Sequence, residues 1–162
     1  MRTAIVLVAL VLAATGCPHE KHEETVLAKP ATPKEVVAAA RATIEQWRQA
    51  YEVRSFDALA KLYTHDLDTV VVQDGQTMIG WSSVEAMLRD RLSRAKTIHV
   101  RLKDIQVTSL APDAAFAVAT MTREVSDGTT SVGENGALTL VLRKDGEVWH
   151  IVGEHYSYKR QS

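Results

Sequence analysis

Residues 97–158 read TIHVRLKDIQVTSLAPDAAFAVATMTREVSDGTTSVGENGALTLVLRKDGEVWHIVGEHYSY, and this run decides the fold. Apolar and polar residues alternate through four long blocks, approximately 97–110, 114–126, 130–143 and 147–158. Pro112-Asp113, Asp127-Gly128 and Asp145-Gly146 separate them. Alternation marks half-buried strands, and links this short join antiparallel neighbours. In the first block the apolar parity changes from Ile98, Val100 and Leu102 to Ile105 and Val107, which predicts a bulge near Lys103 that bends the strand. Asn135-Gly136 is expected to mark a second irregularity.

Upstream, the period changes to that of helices. Thr32-Pro33-Lys34-Glu35 has the layout of a capping box with proline in the first turn. Val36, Val37, Ala40, Ile44, Trp47 and Tyr51 then recur at three- and four-residue steps along one stripe. Ser55 can cap a shorter helix with Phe56, Leu59, Leu62 and Tyr63 on one face. Asp74-Gly75, between residues 68–73 and 76–79, is a two-residue hairpin signal. Ser82-Ser83-Val84-Glu85 suggests another capping box, opening a third helix whose stripe comprises Val84, Met87, Leu88, Arg91, Leu92 and Ala95. The expectation is an α+β domain, its curved antiparallel sheet wrapped around three N-terminal helices. Leu138, Leu140 and Leu142 supply one buried face, while Thr139 and Val141 leave the other partly apolar. A second copy of the same sheet is the simplest cover for that face, so a homodimer is expected.

The N-terminus reads as an address. MRTAIVLVALVLAATGC has a basic start, an apolar run from Ala4 to Ala14 and small residues before Cys17. That is a signal-peptide layout, too short for a membrane span, which needs roughly 20 apolar residues. Ala14-Thr15-Gly16-Cys17 resembles the lipobox of bacterial lipoproteins, in which the cysteine is lipidated and becomes the mature N-terminus, although Ala14 stands where the pattern usually has leucine. The alternative is an ordinary signal peptide followed by an unpaired cysteine. Cys17 is the only cysteine, and a lone thiol in an oxidising compartment has no structural use. The predicted organisation is a lipoprotein signal peptide over 1–16, a flexible charged and proline-containing tether over 17–33, and one domain over 34–160. That places the domain in the bacterial cell envelope, on the outer membrane facing the periplasm in a Gram-negative cell. Removing Arg2 with the signal peptide takes the formal charge from −1 to −2, so no basic excess invites nucleic acid. His19 and His22 have no fixed co-ligands, and each Asp-Gly pair is accounted for by a turn. No metal or cofactor is predicted.

The order helix, helix, hairpin, helix, four strands, with "FDALAKLYTHD", "GQTMIGWSSVEAML" and "GEVWHIVGEHYS", resembles the SnoaL-like branch of the nuclear transport factor 2-like superfamily, which includes ketosteroid isomerase-like proteins. The resemblance covers nearly all of residues 34–160. Members of the branch, among them the association domain of calmodulin-dependent kinase, carry Trp-x-x-Val-His-x-His-x-Ser in the last strand. Trp149, Val152, His155 and Ser157 match it, while Gly153 stands where relatives carry the first histidine. The resemblance implies a cone-shaped fold enclosing a pocket and dimerising through its sheet. It fixes fold far better than function, because members include isomerases, dehydratases, ligand carriers and assembly modules.

Strict alternation along the last strand puts Trp149, Ile151, Gly153, His155 and Ser157 on one face, and His150, Val152, Glu154, Tyr156 and Tyr158 on the other. His150 and His155 then diverge, which argues against a metal site between them. The resemblance turns the Trp149/His155 face into the cone. The predicted pocket comprises Trp47, Tyr51, Tyr63, Trp81, His99, Trp149, His155 and Ser157, with Arg123 as a further neighbour. Those aromatics can equally be core. For acid–base chemistry the candidates are His155, Asp66 and Asp68, although a run such as His65 to Asp68 is more often a helix end and solvated turn; Glu124 and Glu134 are further carboxylates, at strand positions with no partner the sequence names. No nucleophile elbow, phosphate loop or dinucleotide fingerprint is present. The function read from the sequence is a membrane-anchored, homodimeric domain with a small hydrophobic pocket for a small-molecule or peptide ligand. The alternatives are an isomerase or hydrolase using acid–base catalysis in that pocket, and a purely structural dimer module.

Overall fold

The structure is a computed structural model and describes residues 29–161. The predicted signal peptide, Cys17 and most of the predicted tether lie outside the described residues. Helix α1 spans Pro33–Glu52, and its capping box forms as expected: Thr32 Oγ1 accepts from the Glu35 N–H, and Glu35 Oε2 accepts from the Thr32 N–H at 2.7 Å. Its stripe of Val36, Ala40, Ile44, Trp47 and Tyr51 is buried. Helix α2, Phe56–Ala60, is capped by Ser55. It ends before Leu62 and Tyr63, which are buried from the following turn, where Tyr63 bridges to Ile151.

Strands β1 (Val70–Gln73) and β2 (Gln76–Ile79) form the predicted hairpin, with Asp74 and Gly75 at φ 53° and 73°, the two positive values a tight primed turn requires. Helix α3 runs Trp81–Arg94 with its N-cap at Gly80, ahead of the predicted cap at Ser82. No side-chain cap forms there. Instead Gly80 (φ 80°) and Trp81 donate their N–H groups to Thr69 and Asp66 carbonyls, so the loop before β1 sets where the helix begins.

The four long strands are β3 (Thr97–Ala111), β4 (Ala114–Ser126), β5 (Ser131–Asp145) and β6 (Val148–Gln161). With the hairpin they make one curved, unclosed six-stranded sheet in the order β2-β1-β6-β5-β4-β3, in which β1 runs parallel to β6. The helices lie against its concave side. The bulge near Lys103 is present: the β3–β4 register shifts between Lys103 and Gln106, with Asp104 at φ 52°. Asn135-Gly136 is not an irregularity, since both residues pair in register with β4 and β6. Gly136 serves a different need. A Cβ there would stand 1.9 Å from the Ser157 carbonyl oxygen, so the two strands approach as closely as they do only because position 136 has none.

A second bulge overturns the predicted faces of the last strand. Val141 pairs with Gly153 but Leu142 with Ile151, leaving Val152 with no partner opposite it. One extra residue reverses every later side chain. Trp149 and Ile151 point into the cone as expected, but beyond the bulge Glu154 and Tyr156 are the buried residues, while His155 and Ser157 are exposed on the convex side.

A candidate binding cleft at the mouth of the cone

The predicted pocket residues do not line a common cavity. Trp47, Tyr51, Tyr63 and Trp149 are buried core. Trp81 is half-buried and stacks on His65 with ring centroids 4.1 Å apart. His99, His155 and Ser157 are exposed and belong to the outward-facing positions of β3 and β6. The acid–base candidates are no closer to the interior: Asp66 is ion-paired with Arg143 at the surface, and Asp68 is exposed. His150 shares the outward parity of His155 because of the bulge, yet no metal-holding group of His, Cys, Asp or Glu exists among the described residues.

What the bulge turns inward instead is Glu154, 3% exposed. A buried carboxylate is tolerable only when hydrogen bonds replace its water. Tyr63 donates its hydroxyl to Oε2 and Gln73 its amide to Oε1, while Trp47 Nε1 donates to the Tyr63 oxygen at 2.9 Å. Burial, then the Glu154 charge, pushes the Tyr63 phenol well above its ordinary value, keeping it a proton donor. Tyr51 is raised by the same two causes in the same order. This aromatic and polar chain fills the deep half of the cone.

The other half is open. A cleft of about 800 Å³ lies between the C-terminal half of α3, the β1–β2 turn and the β4–β5 hairpin. Gln73 belongs to both halves: its amide nitrogen binds Glu154, and its oxygen accepts from Arg123 Nη1 at 3.4 Å. Glu154 does not line the cleft. Across β4 and β5, in register, Arg123 and Glu134 form a buried ion pair at 2.6 Å. Arg160 pairs with Asp74 at 3.1 Å, and Arg94 with Asp90 one turn apart. The turn residue Asp127 accepts from the N–H and hydroxyl groups of Thr129 and Thr130, which hold its carboxyl far below the usual range. Arg91, on the inner face of α3, donates one hydrogen bond to Tyr51 at 3.4 Å and has no carboxylate partner among the described residues. Met78, Met87, Ala95, Val125 and Val132 make the apolar remainder of the wall. The predicted hydrophobic pocket is therefore replaced by a cleft lined by charge and apolar surface together.

Arg91 was legible as an anomaly, one cation within the otherwise apolar stripe of α3. Gln73 carries no such signal, because a glutamine at the end of a hairpin strand is ordinary.

A SnoaL-like domain family model matches residues 40–161. The chain belongs to the SnoaL-like domain family, and its fold is that of the nuclear transport factor 2-like superfamily. No curated protein sequence matches it significantly. Among solved structures, it is similar to a candidate dehydratase of the nuclear transport factor 2-like family from Streptomyces avermitilis. That pair shares 21% identity at a TM-score of 0.72, over 78% of this chain and 97% of that one. A candidate aromatic ring hydroxylase from Novosphingobium aromaticivorans matches at 16% identity and TM-score 0.71, over 80% of this chain and 96% of that one. A superfamily member from Salmonella enterica serovar Typhimurium matches at 16% identity and TM-score 0.70, over 76% and 91%. At these identities the likeness is one of fold.

Proposed function

We propose that this SnoaL-like domain is a ligand-binding module of the cell envelope, taking a small molecule in the cleft at the mouth of its cone. The observation that carries this reading is the division of the interior. Both buried carboxylates that face into the cone among the described residues are engaged: Glu154 has its two oxygens occupied and lies behind Gln73, and Glu134 is ion-paired with Arg123. The cleft itself offers charged and apolar surface whose carboxylates are each tied to an arginine or, for Asp127, to its own turn. The dehydratase and hydroxylase assignments of structural neighbours supply the competing reading of turnover.

A thermal-shift screen of the purified protein against chemically varied small molecules, with each hit recovered and weighed by mass spectrometry, separates these readings. Binding predicts hits that stabilise the fold and return unchanged. Consumed hits would establish an enzyme, and a screen without hits would leave an assembly module.

Two further features complete the proposal. Cys17 of the Ala14-Thr15-Gly16-Cys17 motif carries lipid and becomes the mature N-terminus. Intact mass of membrane-extracted protein should show loss of residues 1–16 and added acyl mass; an unmodified Cys17 defeats this. The convex face, where Phe116, Val118, Val141 and Val152 leave apolar surface between polar neighbours, pairs with a second copy. A monomer by light scattering at micromolar concentration would oppose that pairing.

A further inference from the structure

We propose that the ligand is an organic monocarboxylate, its carboxylate held by the Arg91 guanidinium and its hydrocarbon part lying against Met78, Met87 and Val125. This names the ligand class of the cleft and rests on the binding reading above. The argument starts from the pairing of charges in the wall. Arg94, Arg123 and Arg160 each have a carboxylate, and Asp127 is saturated by its own turn. Arg91 is left over. A guanidinium has five N–H donors in a planar fork, and the Arg91 side chain uses one of them, on the Tyr51 oxygen. Being half-buried, it cannot give all the others to water without cost. A carboxylate is the group that fits such a fork, with two parallel bonds.

The rest of the wall limits the ligand's charge and shape. The other three arginines of the wall are engaged by Asp74, Asp90 and Glu134, so a second negative charge on a ligand finds no cation left for it and faces those carboxylates instead. A dianion such as phosphate is thereby disfavoured. Met87 lies one turn before Arg91 on α3 and Ala95 just past the helix end, and Met78 and Val125 approach from the sheet. An anionic head at Arg91 therefore has apolar surface on both sides for a short aliphatic or aromatic body.

Calorimetric titration of the protein with hexanoate, hexanamide and inorganic phosphate tests this. Hexanoate should bind roughly tenfold or more tightly than its neutral amide, the weight of a hydrogen bond to a charged group. Phosphate should fail to displace it at comparable concentration. Arg91→Gln should remove the preference for acid over amide, Arg91→Lys should keep part of it, and Arg89→Gln, at an exposed α3 arginine outside the cleft wall, should keep all of it. Equal affinity for acid and amide in the unaltered protein, a preference that survives Arg91→Gln, or ready displacement by phosphate would each overturn the assignment. The acid-against-amide comparison needs no variant, so a poorly folding Arg91→Gln cannot conceal the answer. If hexanamide binds and hexanoate gains nothing, the carboxylate assignment fails while the cleft stands as a binding site. If neither binds and the wider screen is empty, the binding reading itself has failed.

Discussion

The two halves of the cone interior solve opposite problems with similar residues. In the deep half a single charge, Glu154, is enclosed by Tyr63, Gln73 and the Trp47 indole, and every polar atom of that chain has its partner. At the mouth, cations and acids alternate around an open cleft, most of them paired at the rim, with one guanidinium left over. The comparison teaches where change is affordable. The closed half sets the shape of the cone, and the open half can change its lining without disturbing that shape. Gln73 is the partition, binding the sealed carboxylate with one end and meeting the cleft arginine with the other.

The largest effect that exposes this difference is alkaline. All four tyrosines, Tyr51, Tyr63, Tyr156 and Tyr158, are held above the ordinary phenol value, chiefly by burial, with Tyr156 raised to about 12. In the unfolded chain they ionise near pH 10, as model phenols do. Between that value and the folded ones, the unfolded chain has released protons that the folded chain retains. The stabilisation is therefore complete below about pH 10 and is lost as the pH climbs through the folded values. Tyrosinate absorbance should rise together with loss of the far-ultraviolet dichroism, in one cooperative step. Ionisation of Tyr51 or Tyr63 near pH 10 in an intact fold would contradict the sealed description of the deep half.

Next in size is Tyr63→Phe. The ring stays, but one oxygen of Glu154 and the Trp47 N–H each lose their partner in a site water does not reach. Two stranded groups, one charged, should lower the unfolding free energy by about 4 kcal/mol. Urea denaturation should show a lower midpoint at unchanged slope. By contrast, Arg160→Gln at the mouth removes an exposed, solvent-screened ion pair and should leave the urea midpoint almost unmoved. Similar losses from the two variants would erase the distinction between the halves.

How much of this was legible before the fold was seen depends on whether a residue's neighbours in sequence reported its surroundings. Thr32 with Glu35, and Asp74 with Gly75, did so because caps and tight turns are local structures. The Lys103 bulge was legible because strong apolar residues stand on either side of it, so the change of parity from Leu102 to Ile105 could be seen. The bulge at Val152 was hidden by its neighbours. Valine and glycine suit either face, and a following glutamate reads as outward unless its partners are known. Those partners, Tyr63 and Gln73, lie 91 and 81 residues away in the chain. A slip of one residue was enough to move His155 from the pocket to the surface and Glu154 from the surface to the core. The family likeness could not correct this, because it fixes the cone and not the side chains within it.

Two glycines carry the comparison to its finest scale. Gly136→Ala sets a methyl carbon 1.9 Å from the Ser157 oxygen and 2.6 Å from the Tyr158 Cα, both backbone atoms, so the strands must part where Tyr158 enters the cleft wall. A cost of about 2 kcal/mol is expected, as for other overpacked interiors. Gly153→Ala, on the opposite face beside the bulge, meets only the Val141 side chain at 3.5 Å, an ordinary contact. Since glycine within a strand is itself destabilising relative to alanine, this variant should be neutral or gain about 0.5 kcal/mol in unfolding free energy measured by urea. A loss there would mean that the convex face already has no room at Gly153, as it would not if a second copy packed closely against it. Repeating the measurement across protein concentrations separates the two, because a penalty arising between copies grows with dimer population while one arising within the chain does not.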